Sequence, residues 1–197
     1  MMLEFDMTGF GKMRYFIGIE VMQRSDDIFI SKKKYVQEVL DRFNMDKCNP
    51  VFYPMVPGFK LIKNRDGVKI DSTFYKQIVG SLMYLISTCP NIMFVVSLIN
   101  RFMDCPTELH FQVAKRILRY LKGTIDFGVF YKKEESEELI AFTDSDYDEE
   151  LDERKNTSGY VLMLLGSGVV SWSSKKQPIV ALSTTKAEFI VAISCAY

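Results

Sequence analysis

The sequence predicts an α+β chain built in two parts, an N-terminal hairpin with a helical region and then a smaller α/β unit. Three observations carry that prediction. A strand–turn–strand pattern opens the chain, apolar residues at helical spacing fill its middle, and three strand-like runs followed by an amphipathic helix close it. With 197 residues, 48% of them hydrophobic, the chain can bury a substantial core and form one or two domains.

Residues 14–22 (RYFIGIEVM) and 28–31 read as strands, with Arg24-Ser25-Asp26-Asp27 as the turn between them. Tyr35, Val36, Val39, Leu40 and Phe43 recur at helical spacing and predict a helix over 33–43. Pro50, Pro54, Pro57, Gly58 and Gly67 make 48–72 a long irregular connection. Two apolar helices are expected at 73–88 and 91–103. Cys89-Pro90-Asn91 is the corner between them, because the residue before a proline is pushed out of the α region. From Gln77 to Asn100 no residue is charged, and these 24 positions exceed the roughly 20 that span a bilayer. Ser81, Ser87, Ser97 and the Pro90 break favour two buried helices, so no membrane partner is expected.

Thr107 is a candidate N-cap for a helix that runs to Lys122 and ends at Gly123. One face carries Lys115, Arg116, Arg119 and Lys122, while Val113, Ile117, Leu118 and Leu121 are apolar. This basic face is the candidate nucleic-acid-binding surface, suited to tracking a phosphate backbone. The other reading, a solvated face on a core helix, stands beside it. His110, on the same helix, reads as a surface or capping residue rather than a catalytic one.

A strand at 128–131 leads to the acidic run Glu134-Glu135-Ser136-Glu137-Glu138, which marks the boundary between domains 1–133 and 134–197. Residues 139–143, 159–165 and 169–173 read as strands. Gly166-Ser167-Gly168 reads as a hairpin turn, since no helix follows it to make a phosphate loop. The first part holds 20 Lys/Arg against 13 Asp/Glu, and the second 5 against 12, so net charges of +7 and −7 cancel. A basic body beside an acidic cluster suits a nucleic-acid backbone next to a metal-binding group; ordinary surface charge is the alternative. Cys48, Cys89, Cys105 and Cys195 lie far apart, so neither a zinc site nor a disulfide framework is suggested. Glu4 and Asp6 precede no apolar core, so no secretory signal is read and a cytoplasmic or nuclear location is expected. The sequon Asn156-Thr157-Ser158 is read as coincidence.

The most informative segment is Thr143-Asp144-Ser145-Asp146-Tyr147, followed by Asn156-Thr157-Ser158-Gly159-Tyr160, Ser171-Trp172-Ser173-Ser174-Lys175-Lys176-Gln177 and Leu182-Ser183-Thr184-Thr185-Lys186-Ala187-Glu188-Phe189. An acidic pair closes a strand and a Glu appears in the next helix. Carboxylates on neighbouring strand and helix are what two-metal phosphodiester cleavage needs, because hard Mg²⁺ prefers oxygen ligands. This segment resembles the ribonuclease H domain of copia-type LTR-retrotransposon Pol polyproteins. The upstream part resembles the end of the same polyprotein's reverse transcriptase, through Tyr15-Phe16-Ile17-Gly18-Ile19-Glu20-Val21, Gly80-Ser81-Leu82-Met83-Tyr84-Leu85 and Ala114-Lys115-Arg116-Ile117-Leu118-Arg119-Tyr120-Leu121-Lys122-Gly123-Thr124. The resemblance covers essentially the whole chain.

The resemblance implies residues 1–133 as the last palm hairpin with the thumb and connection. It implies 134–197 as a truncated ribonuclease H-like half-domain, a three-strand meander and first helix. Asp144 would be the first metal-bridging carboxylate, Glu188 the second, and Asp146 a weaker candidate. Two further family carboxylates fall beyond Tyr197, and the family's Tyr-x-Asp-Asp polymerase hairpin is absent, Asp26-Asp27 being a turn. The expected reading is therefore a catalytically inactive Pol fragment that binds RNA–DNA hybrid or other nucleic acid and holds Mg²⁺ weakly or not at all. A protein-interaction module, self-associating through an unpaired first-strand edge, is the alternative, and membrane association through residues 77–100 a weaker third. Two departures from the family pattern are Asp148-Glu149-Glu150, which adds negative charge, and Lys186, where the family's Glu would close a capping box with Ser183.

Overall fold

The computed structural model describes residues 11–59, 61–62, 67–133, 138–146 and 155–196, without the side chain of Asp146. These hold two antiparallel sheets and five α-helices, a mixed α/β architecture. Of the acidic boundary run 134–138 only Glu138 is among the described residues, and the Asp148-Glu149-Glu150 departure lies outside them.

The first sheet has four strands in the order β1 (Tyr15–Phe16), β2 (Ile19–Gln23), β3 (Asp27–Ser31) and β4 (Gly128–Lys132). The single strand expected over 14–22 is thus two. Ile17 and Gly18, at φ +45° and +70°, form a tight turn that pairs Phe16 with Ile19. Positive φ at both central residues matches the twist of a two-residue hairpin, and it is an unusual conformation for a β-branched residue such as Ile17. Tyr84 holds the turn: its hydroxyl donates to the Ile17 carbonyl, and a Cβ on Gly18 would lie 3.1 Å from that hydroxyl. β4 closes the sheet by pairing with β3, Ile30 opposite Val129. The helical region is therefore an insertion between two neighbouring strands.

That region comprises α1 (Lys33–Arg42), α2 (Ser72–Leu85), a 3₁₀ turn at Pro90–Ile92, α3 (Met93–Asn100) and α4 (Glu108–Gly123). The helix expected over 91–103 is shorter, since Pro90 starts a 3₁₀ turn and the α-helix stops at Asn100. Val39, Leu40, Tyr75, Leu82, Leu85, Ile92, Ile99, Ile117 and Leu118 are buried in one core. The uncharged run 77–100 is its centre, and no helix among the described residues is long and apolar enough to cross a membrane. At the end of α4, Gly123 lies inside the helix and Thr124 is the C-cap, its amide returning to Tyr120 and Leu121. Packing is close there: a Cβ at this position would stand 3.1 Å from the Pro50 Cβ, so a larger residue would have to push the connection aside.

The second sheet has the order β5 (Leu139–Asp146), β6 (Thr157–Leu164) and β7 (Val169–Lys176), with α5 (Thr184–Ala196) laid over β5 and β6. The two sheets are docked rather than strung apart. The Tyr131 hydroxyl donates to the Val169 carbonyl at 2.8 Å, and Gly168 packs so closely on the Phe130 carbonyl that no Cβ would fit. Trp172 Nε1 donates to the Ile86 carbonyl at 2.8 Å, fastening β7 to the end of α2.

Candidate functional site

The basic face of α4 lies under the proline-rich connection. Arg119 Nε donates to the Asn49 carbonyl at 2.8 Å, and Arg116 Nε donates to the Tyr53 carbonyl at 3.2 Å. A coil of this kind has backbone carbonyls with no ladder to join, and arginine's fork supplies the donors. The charge pattern gives no sign of this strapping role; three prolines in a connection that must lie on something are the available signal. Each guanidinium keeps its terminal nitrogens for another ligand. Lys115 Nζ lies 4.1 Å from the centre of the Phe111 ring. Among the described residues no carboxylate is within ion-pair distance of Lys115, Arg116, Arg119 or Lys122.

His110 is buried rather than on the surface. Its Nδ1 accepts the Thr107 amide at 3.0 Å and its Nε2 donates to the Ile62 carbonyl at 3.1 Å, while the ring stacks on Phe102 with centroids 4.0 Å apart. It closes the capping box of α4 from the N3 position, where Glu or Gln is the usual residue. Burial holds its pKa below 6.5.

The carboxylates are placed by sheet parity. Phe142, Val161 and Trp172 are cross-strand partners, and the indole of Trp172 reaches Ile86, so their shared face looks toward the helical region. Asp144, two residues after Phe142, belongs to that face and lines a cleft with Met93 and Phe94. Ser145 and Ser158 are on the opposite face. There Gln177 Nε2 donates to Ser158 Oγ at 2.7 Å and to the Ala187 carbonyl of α5 at 3.0 Å, and reaches Ser145 Oγ at 3.3 Å. Glu188 is exposed on that helix, beside buried Ala187. Asp144 and Glu188 thus start from opposite sides of the sheet, and joint capture of one ion would require Glu188 to reach around the β5 edge. Their oxygen chemistry suits Mg²⁺, but two carboxylates so placed do not by themselves make up a coordination shell. Among the described residues no group of three or more metal-ligating side chains converges.

Asp26 lies in the turn and Asp27 opens β3, its carboxylate 3.7 Å from Arg24 across that turn. Gln177, to which the sequence alone assigns no role, adds a hydrogen bond from the sheet end to α5 beside the buried Ala187 and Val191.

The profile of the reverse transcriptase (RNA-dependent DNA polymerase) family matches residues 1–57. The chain is 40% identical to the retrovirus-related Pol polyprotein from transposon RE1 of Arabidopsis thaliana, over 94% of this chain and 13% of that protein. It is 36% identical to the Pol polyprotein from transposon TNT 1-94 of Nicotiana tabacum, over 95% of this chain and 15% of that protein. It therefore spans a small part of the length of the Pol polyproteins it matches. An uncharacterized mitochondrial protein of Arabidopsis thaliana is 35% identical over 94% of this chain, which covers 76% of that relative. No solved structure matches the chain. On these similarities the chain belongs to the copia-type retrotransposon Pol family.

Proposed function

We propose that this chain supplies a nucleic-acid-binding surface of a Pol polyprotein whose whole carries out RNA-directed DNA synthesis and degrades RNA in RNA–DNA hybrids. Residues 1–133 correspond in this reading to the reverse transcriptase end, with the last palm hairpin, thumb and connection. Residues 134–197 correspond to the first half of a ribonuclease H-like domain. The observation that carries the reading is the α4 face, where four cations lack carboxylate partners among the described residues. Cations held without counterions are placed to neutralise phosphates and release the ions condensed on them.

Asp144 and Glu188, with Asp146 behind them, are this chain's share of a carboxylate set that would hold Mg²⁺ in the parent family. Mg²⁺ so bound would activate a water and stabilise the leaving oxygen. The 197 residues supply only these candidates and no polymerase aspartate pair, so the purified chain is expected to bind hybrid without cutting it. Cleavage of a labelled hybrid with Mg²⁺ or Mn²⁺, abolished by Asp144→Asn, would overturn the inactive part of the reading. For the binding part, Arg116→Gln with Arg119→Gln should weaken hybrid binding for every sequence. The log–log salt slope should shrink by about 0.9 for each duplex phosphate that is no longer neutralised. Unchanged affinity and slope would reduce the two arginines to straps for the connection.

A second reading, a protein-interaction module, is favoured by α5. Phe189 and Ile193 on the helix and Leu182 just before it are 65%, 56% and 81% exposed, and the outer edge of β5 pairs with no described strand. Salt-insensitive self-association in sedimentation, with no hybrid binding, would select it.

A further inference from the structure

The groove between α4 and the connection has a second chemistry that phosphate tracking does not use. Met45, Met55, Phe59 and Leu109 line its floor, and Lys115, Arg116 and Arg119 form one wall. Met45, Met55 and Phe59 are half-buried, with their inner sides packed on the core. Each arginine Nε donates to a carbonyl of the connection, which tethers both guanidinium groups at the groove and engages only one of the donors that each carries. An apolar floor beside a wall of cations that have no carboxylate partner among the described residues fits a ligand with a flat apolar body and an adjoining negative charge. Within the nucleic-acid reading, on which this inference rests, a nucleotide has that form. It offers a base only where it is unstacked and unpaired, which excludes the interior of a duplex.

We propose that this groove holds one unpaired nucleotide of a single-stranded segment, its base against Phe59 and Met55 and its flanking phosphates on Lys115, Arg116 and Arg119. Charge complementarity selects the polyanion, and the apolar floor selects an unstacked base within it. Base–aromatic stacking is tolerant of sequence because every base has a π face, so no strong base preference is expected.

The test titrates the full chain with a single strand of about twelve nucleotides, long enough for a typical single-strand site. A blunt RNA–DNA hybrid of equal length, at the same salt, is the comparison. The single strand is expected to bind more tightly, and a 2-aminopurine within it to change its fluorescence on binding. Phe59→Leu, which keeps an apolar side chain on the core, should lower the single-strand to hybrid affinity ratio by about tenfold, the scale of removing one base–aromatic stack. Arg116→Gln should reduce the salt slope for the single strand. Binding of both probes with no single-strand preference, or with a ratio unmoved by Phe59→Leu, would overturn the groove assignment and leave the nucleic-acid reading standing. Binding of neither probe would overturn both. Unfolding of the variant would show as an equal loss for both probes together with a lowered melting temperature. In that case Met55→Ala repeats the test, and a ratio it leaves unmoved overturns the assignment.

Discussion

Lys32 Nζ lies 3.4 Å from the centre of the Tyr84 ring and donates to the Tyr84 carbonyl. It also donates to Ser87 Oγ at 2.7 Å, and the residue is only 1% exposed. Tyr84 belongs to the last turn of α2, where carbonyls lack helical partners and the helix end carries partial negative charge. A lysine at the start of α1 thereby caps α2, and the same Tyr84 uses its hydroxyl to hold the β1–β2 turn.

The first prediction follows from that burial. Desolvation lowers the Lys32 pKa from 10.5, with the nearby Cys89 acting weakly the other way. Between the lowered folded value and 10.5 the unfolded chain binds more protons, so the contribution of this group to stability rises with pH and is flat below that window. In urea unfolding at matched pH values, the unmodified chain should gain on Lys32→Met as pH climbs toward 10.5. Parallel profiles would mean that the lysine is solvated. Lys32→Ala, which also empties the space of the stem, should cost about 1–3 kcal/mol.

His110 gives the second prediction, and it is the only histidine in the chain. Neutral imidazole accepts the Thr107 amide, whereas imidazolium cannot. Burial lowers the folded pKa below 6.5, so the unfolded chain takes up the proton first as pH falls. Stability should therefore drop from about pH 6.5 down to the lowered folded value and then level off. NMR titration of the single ring should place its pKa below 6.5, and a value at or above 6.5 would refute the capping account. His110→Ala should cost about 1–3 kcal/mol for the groups left unpaired, and should flatten that acid limb.

These two sites show where sequence reading stops. The helix over 33–43 and the one starting at Thr107 are legible, because apolar periodicity and capping are local signals. The strand expected over 14–22 is broken by a turn at Ile17-Gly18 that depends on Tyr84, 67 residues from Ile17. The strand at 128–131 is visible, but its pairing with β3 is not, since alternation names no partner. For the carboxylates, order along the chain puts Asp144 on a strand and Glu188 on a helix. The contact of α5 with its sheet, through buried Ala187 and Val191 and the tertiary hydrogen bonds of Gln177, leaves no clear periodic signature.

Gln177 carries the third prediction. Its amide nitrogen bridges Ser145, Ser158 and Ala187, and the residue is 2% exposed. Gln177→Leu keeps the volume but leaves the Ala187 carbonyl and two hydroxyls without their donor, at about 1–3 kcal/mol. The loss should appear locally, as faster amide exchange across α5, while α4 keeps its protection. A uniform loss across both helices would show that the second sheet and the helical region unfold as one unit.

The fourth prediction concerns the start of α5. Ser183 Oγ accepts the Lys186 amide at 3.2 Å, so half of a capping box is in place. The reciprocal half needs an acceptor at position 186 reaching back to the Ser183 amide. Lysine offers none and sets a positive charge in the first turn, against the helix dipole. Lys186 is exposed, so substitution disturbs no packing. Lys186→Glu should stabilise the helix start by about 0.5–2 kcal/mol, the cap and dipole effects overlapping rather than adding fully. In the unmodified chain, amides of Ala187 to Ile193 should exchange faster than those of α4, because α5 buries only Ala187 and Val191 against its sheet. Lys186→Glu should slow that exchange, and Lys186→Gln should recover the capping part without the charge. Equal protection of α4 and α5 before any substitution would mean that Phe189 and Ile193 are already covered in solution. Concentration-dependent exchange would then identify a second copy of the chain as the cover and shift the balance toward the interaction reading.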